Sequence, residues 1–387
     1  MMSRAVVVWT KPFFFQMAAR PATLLHRAVA ALEALIAADP GGRGIAHITL
    51  PNQLLGAARD LAAARSVLVL TGFPCRVADA PPTESDGPPG AVALVAAALR
   101  LGKRAALVTD ECNAAALQAV AAAAGCAGHA GYSFHAFPPA PSFGPAHGAQ
   151  LRALAAQYDH AVAIERAGRA ADGGYYTMGG VSMAHLVAPL DALLTDGCAC
   201  GSGGGGGGDP PPRRRTSTGI GDGGNEAGMG RVAAAVAAHI RLGALIGSVT
   251  PADSLITAGV SNWGGWALVA AVECLLRSGG DSEGRQQQEQ QQQQEERDGG
   301  GDSAGAAHPP PLQCVRLPPG LPLGGLLPTP EAEVAIGAAM VAAGVRDGIT
   351  GACDASVDGL PPEAHLAQLE RLRGVVVGAF GGAAVPP

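Results

Sequence analysis

Set aside two tracts, the poly-Gly and Pro-rich stretch at 201–215 and the glutamine run with its flanks at 278–311, and the sequence reads as short apolar strands alternating with alanine-rich helices. Neither tract carries the apolar side chains that a packed core needs, so both read as flexible insertions, about 198–215 and 278–312. What remains predicts strands at 67–70, 105–108, 161–164, 218–220 and 255–258. It predicts helices at 91–99, 114–123, 225–239, 265–277, 331–343 and 363–371, each with apolar residues at helical spacing. Strands and helices in alternation form a mostly parallel sheet covered on both faces, a Rossmann-like three-layer α/β fold. Hydrophobic residues make up 48% of the chain, enough for a sizeable core, and so many are alanine that small side chains must dominate helix packing.

Charge and cysteine usage narrow the class. A net charge of -6 argues against a nucleic-acid partner, which needs Lys and Arg clustered on a basic domain. The basic run Arg213–Arg215 adjoins the glycine tract and reads as part of a solvated insertion. The eight cysteines are far apart, with no secretory apolar segment before them, which predicts reduced thiols. Cys198 and Cys200 form only C-x-C, without a second pair at zinc spacing. No apolar run approaches the ~18 residues of a membrane span. Arg4, Lys11, Arg20, His26 and Arg27 precede the first acid, Glu33. That bias is shared by organellar presequences and by short basic segments leading into a first helix.

In open α/β sheets ligands bind beyond the carboxyl ends of the strands, so the loops at 71–74, 165–176, 221–226 and 260–263 are expected to converge on one crevice. Gly219-Ile-Gly-Asp-Gly-Gly-Asn-Glu226 is the most informative of them. Backbone without side chains lets successive N–H groups approach an anion, and a helix expected to start at once would add its N-terminal partial charge. A nicotinamide cofactor is not expected, because G-x-G-x-x-G should open the first βα unit and be followed by an acid about 20 residues on. A phosphatase-type loop would need a D-x-D strand end, and the first strand runs instead into Thr71-Gly72-Phe-Pro74. A bare capping role for Asp222 or Asn225 leaves the other acid and the four glycines unexplained.

Three more segments carry charge or hydrogen-bonding groups. In Pro81-Pro-Thr-Glu-Ser-Asp-Gly-Pro-Pro-Gly90, Glu84 and Asp86 lie two apart and can point the same way. They suit a hard divalent cation, Mg²⁺ or Mn²⁺, or a substrate ammonium, unless the loop is simply an exposed acidic turn. Glu165 to Tyr176 concentrates two arginines, two acids and two tyrosines at a strand end. Arg169 could clamp a carboxylate with its planar fork, while an internal ion pair of Glu165 or Asp172 with an arginine is the ligand-free alternative. In Ser261-Asn-Trp-Gly-Gly-Trp266, Asn262 could bind a substrate amide or carboxylate, Ser261 could cap a helix, and the tryptophans read as packing.

Taken in order, 70–74 (LTGFP), 81–90 (PPTESDGPPG), 168–173 (GRAADG), 219–226 (GIGDGGNE), 261–265 (SNWGG) and 356–360 (SVDGL) resemble the catalytic C-terminal domain of D-glutamate cyclase. The resemblance runs from about 30 to 373, which predicts one domain there, a flexible or targeting segment at 1–29 and a flexible end at 374–387. In the vertebrate form another domain precedes this module, and here the two insertions interrupt the pattern. The resemblance implies a lyase that converts D-glutamate to 5-oxo-D-proline and water, with a mitochondrial or other organellar matrix location. The sequence allows an oligomer.

For that reaction the residues expected to act are Asp222 or Glu226 as base, with Asp172 as a further candidate. Gly221, Gly223 and Gly224 would offer backbone N–H groups to an oxyanion. Arg169 would hold the α-carboxylate. Thr71, Gly72, Asn225 and Asn262 would complete the substrate site, and Glu84 and Asp86 would contact the ammonium or a divalent cation. The competing readings are a metal-dependent phosphate-handling enzyme that uses the same glycine loop, and a non-catalytic small-anion sensor.

Overall fold

The computed structural model describes residues 23–195, 215–279 and 315–381. The Cys198–Cys200 pair, the basic segment before residue 23 and the interiors of both tracts lie outside the described residues. In chain order, α1 (Leu24–Ile36) and α2 (Gln53–Ala63) precede β1 (Ser66–Leu70). Then come α3 (Pro88–Arg100), β2 (Arg104–Asp110), α4 (Ala114–Ala123), β3 (Tyr132–Phe137), α5 (Pro145–Ala155) and β4 (His160–Ile164). They are followed by α6 (Ala192–Thr195), β5 (Thr216–Gly221), α7 (Ala233–His239), α8 (Gly243–Ile246) and β6 (Ser254–Thr257). Among the described residues, α9 (Ser261–Arg277), α10 (Pro330–Ala342) and α11 (Pro362–Phe380) follow.

The strands form one parallel sheet in the order β3-β2-β1-β4-β5-β6. β1 and β4 are runs of small and branched apolar residues buried along their whole length, as strands covered on both faces must be. Alternate residues divide between the layers. Val67, Val69, Leu107, Val162 and Ile220 pack with α1–α4 and α9–α11, while Leu68, Leu70, Val108 and Ala163 pack with α5 and α6. The three-layer α/β fold expected from the sequence is therefore present.

Helix α9 is the centre of the first layer. It is buried from Ser261 to Leu275 and is apolar on every side, which suits a helix with no solvent face. Its approach to α3 depends on two glycines: a Cβ at Gly265 would lie 3.0 Å from the Gly90 Cα. In its last turns the buried Glu273 accepts from the backbone N–H groups of Gly324 and Leu326, which ties in the chain entering α10.

Several boundaries differ from the sequence expectation. β3 has the mixed sequence YSFHAF and is a half-buried edge strand, so no apolar run announced it. The helix expected from Asn225 begins only at Ala233, because Gly228 takes φ +111, outside helical space. The helix expected from Gly265 begins earlier, at Ser261, and the last helix runs on to Phe380. Arg215 is not solvated: it is buried and donates to the carbonyls of Ala155 and Leu193, anchoring the start of β5.

The chain leaves the sheet centre at β1, builds β2 and β3 on one side and returns to build β4 to β6 on the other. The strand ends on either side of that reversal are tied by Asp110 and Arg166. Both side chains are wholly buried and paired through two oxygens, and Arg166 also donates to the Gly72 and Ala188 carbonyls. Removing one partner from such a pair leaves an uncompensated buried charge. Asp110→Asn is expected to lower unfolding free energy by about 3–5 kcal/mol, read from the midpoint of urea denaturation. A loss under about 1 kcal/mol would show that the tie is dispensable.

Candidate active site

Three carboxylates meet where the sheet reverses. Asp86 comes from the β1–α3 loop, Glu165 directly follows β4 and Asp222 directly follows β5. All three are buried, and an oxygen of each lies within 4.8 Å of the others, close enough to share one cation.

The backbone aims them. Asp86 accepts from the Ser261 and Asn262 N–H groups at 2.8 Å each, so this remote carboxylate caps α9. Asn262 holds the loop that carries Asp86: its Oδ1 accepts from the Gly87 and Gly90 N–H groups, and its Nδ2 donates to the Ser85 carbonyl. Gly87 has φ +100, and a Cβ there would meet the Glu165 Cβ at 2.7 Å and the Thr71 Oγ1 at 2.8 Å. Only glycine lets this loop close over the strand ends. Glu165 itself has φ +40, a left-handed conformation that costs a non-glycine residue on the order of 1 kcal/mol. Ser261 Oγ donates to Glu165 Oε2 at 2.6 Å and fixes its orientation. Thr71 Oγ1, buried beside Gly87 and Glu165, has no hydrogen-bond partner.

Around the trio, among the described residues, stand the acids Glu84, Glu226 and Asp358 and the guanidinium of Arg43. Arg43 Nη1 lies 2.5 Å from Asp222 Oδ2, an ion pair without hydrogen-bond alignment, and Nη2 lies 2.9 Å from Asp358. Burial opposes the guanidinium charge, and Asp222 and Asp358 overcome it, so Arg43 is held charged. Burial pushes Asp86 up to about 7, helped by Asp358 and opposed by the N–H groups of Asn262 and Ser261. Burial also raises Glu165, reinforced by Glu226, Asp86 and Glu84. Asp222 is raised by burial despite Arg43, and Glu84 by burial and by the Asp358 and Asp86 charges. The site thus holds more buried acids than Arg43 could neutralise if all were ionised. A divalent cation would relieve that repulsion, and Asp86, Glu165 and Asp222 are the residues that would hold one.

The structure gathers some of the expected residues and separates others. Asp222, Asp86, Glu84 and Thr71 converge. Glu226 is adjacent, but its carboxylate accepts from the N–H groups of Asp222, Gly223 and Gly224 at 3.1, 2.6 and 2.7 Å. The glycine loop therefore wraps its own glutamate, and these N–H groups are not directed at a ligand. Gly221 ends β5 against the same side chain: a Cβ there would come within 2.8 Å of it. With the helix beginning only at Ala233, no helix N-terminus backs this loop either.

Arg169 is not a buried clamp; its side chain is 55% exposed and lies 3.4 Å from Asp191. Asp172 is exposed and engaged by the Tyr176 hydroxyl and the Gly174 N–H, away from the cluster's hydrogen bonds. Asn225 donates to the Tyr176 carbonyl, and Asn262 engages the loop through both Oδ1 and Nδ2. Gly72, at φ +99, gives its carbonyl to Arg166.

Glu165, Arg43 and Asp358 are not among the catalytic or binding residues expected from the sequence. Glu165 had a signal, being the first residue after a buried strand. Asp358 lay inside the 356–360 motif. Arg43 had none, since it sits in a loop between two helices that the periodicity did not reveal.

The sequence matches the D-glutamate cyclase-like, C-terminal family over residues 32–373. It is also 40% identical over 255 residues to the mitochondrial D-glutamate cyclase of Homo sapiens, covering 63% of this chain and 38% of that protein. The chain therefore spans about two fifths of that relative's length. With a match that takes in nearly all of the α/β domain, the chain belongs to the D-glutamate cyclase-like family, in its C-terminal domain.

Proposed function

We propose that this chain is a lyase that closes D-glutamate to 5-oxo-D-proline and water, working at the Asp86–Glu165–Asp222 cluster with a divalent cation. The observation that carries the reading is the buried trio itself, with an unpartnered Thr71 hydroxyl beside it. D-glutamate carries a net negative charge, so a pocket of carboxylates would receive it more readily with a cation between them. Mg²⁺ and Mn²⁺ suit an all-oxygen set. When bound, the cation supplies the positive charge that helps the γ-carboxylate shed an oxygen.

The chemistry left to the chain is proton transfer. The ammonium gives up a proton, the amine attacks the γ-carbon, and the carboxylate oxygen leaves as water with two protons that began on nitrogen. A carboxylate that takes a proton from nitrogen and passes it to the leaving oxygen meets this need, best when its affinity for protons is raised toward neutral pH. Glu165 fits: it is buried, raised by its neighbours and held by Ser261. Asp222, paired with Arg43, and Asp86, capping α9, are better suited to holding the cation in place. Because reacting groups share one substrate molecule, conformational selection supplies much of the remaining acceleration. The phosphate-handling alternative loses its main support, since Glu226 already takes the loop N–H groups that a phosphoryl group would need. A mitochondrial location, as in the name of the human relative, belongs to the same proposal.

Incubation with D-glutamate and, separately, L-glutamate, with and without Mn²⁺, should yield 5-oxoproline from the D-form in a metal-dependent way by chiral chromatography. Glu165→Gln should lower turnover by about 10²–10⁴-fold with an unchanged far-UV spectrum, whereas Asp172→Asn should stay within a few-fold of the parent. Full activity in Glu165→Gln would remove it from the mechanism.

The raised acids also predict a pH dependence. A carboxylate raised on folding binds more protons folded than unfolded, so stability falls as pH rises from its ordinary range near 4 toward the folded value, about 7 for Asp86. A cation that replaces those protons should therefore raise the melting temperature more at pH 8 than at pH 5. Equal shifts at both pH values, or an undiminished shift in Asp222→Asn, would contradict cation binding here.

A further inference from the structure

D-glutamate brings two carboxylates, and the proposed cation meets only one of them. Arg169, turned outward onto Asp191, does not supply a partner for the other. Among the described residues that touch the acid cluster, the positive group is Arg43, and its loop is built to hold it there. Asp39 accepts from the N–H groups of Arg43 and Gly44 at 3.0 and 2.8 Å, and Gly42 and Gly44 take φ +60 and +80, which turn the chain sharply after α1. The end of α1 is itself pinned at the entry to α9. Gly259 N–H donates to the Ile36 carbonyl, and a Cβ at Gly259 would run into the Ala38 carbonyl oxygen.

One edge of the Arg43 guanidinium is left over. Asp358 faces its end, with Oδ2 accepting from Nη1 and Oδ1 lying 2.9 Å from Nη2, while Asp222 lies against Nη1. The remaining edge, formed by Nε–H and the outer hydrogen of Nη2, is the other face on which a planar fork takes both oxygens of a carboxylate. Nε donates to no acceptor among the described residues, yet it keeps contact with solvent, unlike Arg166 Nε, which is sealed. Gly41 keeps that side clear, since a Cβ there would already lie 3.6 Å from Nε. The Arg43 side chain is 14% exposed, against 6% for Asp222 and 3% for Asp358, so of these three it is the one a ligand reaches most readily.

We infer that Arg43 receives the α-carboxylate of the substrate on its Nε–Nη2 edge and so sets which end of the substrate meets the cation, an inference that rests on the cyclase reading of this site. The γ-carboxylate would then lie with the cation at Asp86, Glu165 and Asp222. A cation that takes a share of the Asp222 charge leaves Arg43 less neutralised, and so a stronger partner for an incoming anion. With both carboxylates fixed, the amine and the hydrogen on Cα exchange places between enantiomers, and only one enantiomer presents its amine to Glu165. Arg43, held charged by Asp222 and Asp358, orients the substrate and takes no part in proton transfer.

The test uses the full chain with Mn²⁺ and two ligands that cannot cyclise: glutarate, with two carboxylates, and butyrate, with one. Titration calorimetry should show that the parent prefers glutarate by about ten- to a hundredfold. Arg43→Met should abolish that preference while butyrate binding stays within a few-fold, and Arg43→Lys, which keeps the charge but loses the fork, should retain part of it. Mn²⁺ should bind Arg43→Met at least as tightly as the parent, because the competing positive charge beside Asp222 is gone; a variant that had merely lost its structure would bind it less well. A glutarate preference that survives in Arg43→Met, an equal loss of both ligands, or no preference in the parent would overturn the assignment. Formation of 5-oxoproline by the parent, measured separately, keeps the two proposals apart. Product together with an unchanged preference in Arg43→Met retains the cyclase and removes Arg43 from substrate binding, whereas an Arg43-dependent preference without product retains the carboxylate receptor and removes the cyclase.

Discussion

Carboxylates buried side by side cannot all ionise without positive charge among them, and this constraint organises the centre of the protein. Asp86, Glu165 and Asp222 are brought within 4.8 Å by three different strand-end segments. Arg43 reaches in from the loop after α1 to face Asp222 and Asp358. The α9 N-terminus supplies partial positive charge to Asp86 through two N–H groups. Each device offsets part of the repulsion, and together they still leave the acids raised. Protons relieve that repulsion at low pH, and the proposed cation would relieve it at higher pH.

The rest of the fold serves that arrangement. The strand order places the ends of β1, β4 and β5 side by side at the reversal of the sheet, where open α/β sheets form their crevices. Small residues decide how close the parts come: Gly87 lets its loop rest on Glu165 and Thr71, and Gly90 and Gly265 let α3 and α9 touch. The Asp110–Arg166 pair, wholly buried, ties the two halves of the sheet just behind the site. Alanine-rich helices with few bulky side chains permit this tight layering.

The architecture was legible because buried parallel strands are short apolar runs, and five of the six among the described residues showed as such. The sixth, β3, is half-exposed and carries polar residues, so its sequence gives no run to find. Asp86, Glu84, Thr71 and Asp222 were identifiable as strand-end or loop groups too polar for packing alone. The glycine-rich loop misled for a physical reason: its pattern predicts N–H groups free to bind an anion, and a glutamate four residues after Asp222 folds back to take them. Arg169 and Asp172 misled because charge density near a strand end does not reveal which side chains turn outward. Arg166, three residues before Arg169, turns inward and meets Asp110, a pairing across 56 residues that local pattern cannot show.

The central claim is that Asp86, Glu165 and Asp222 together hold a divalent cation, and anomalous scattering from crystals grown with Mn²⁺ tests it most directly. The account predicts an anomalous peak among the carboxylates of Asp86, Glu165 and Asp222. A peak elsewhere, or none with Arg43 filling the space among the three acids, would contradict it.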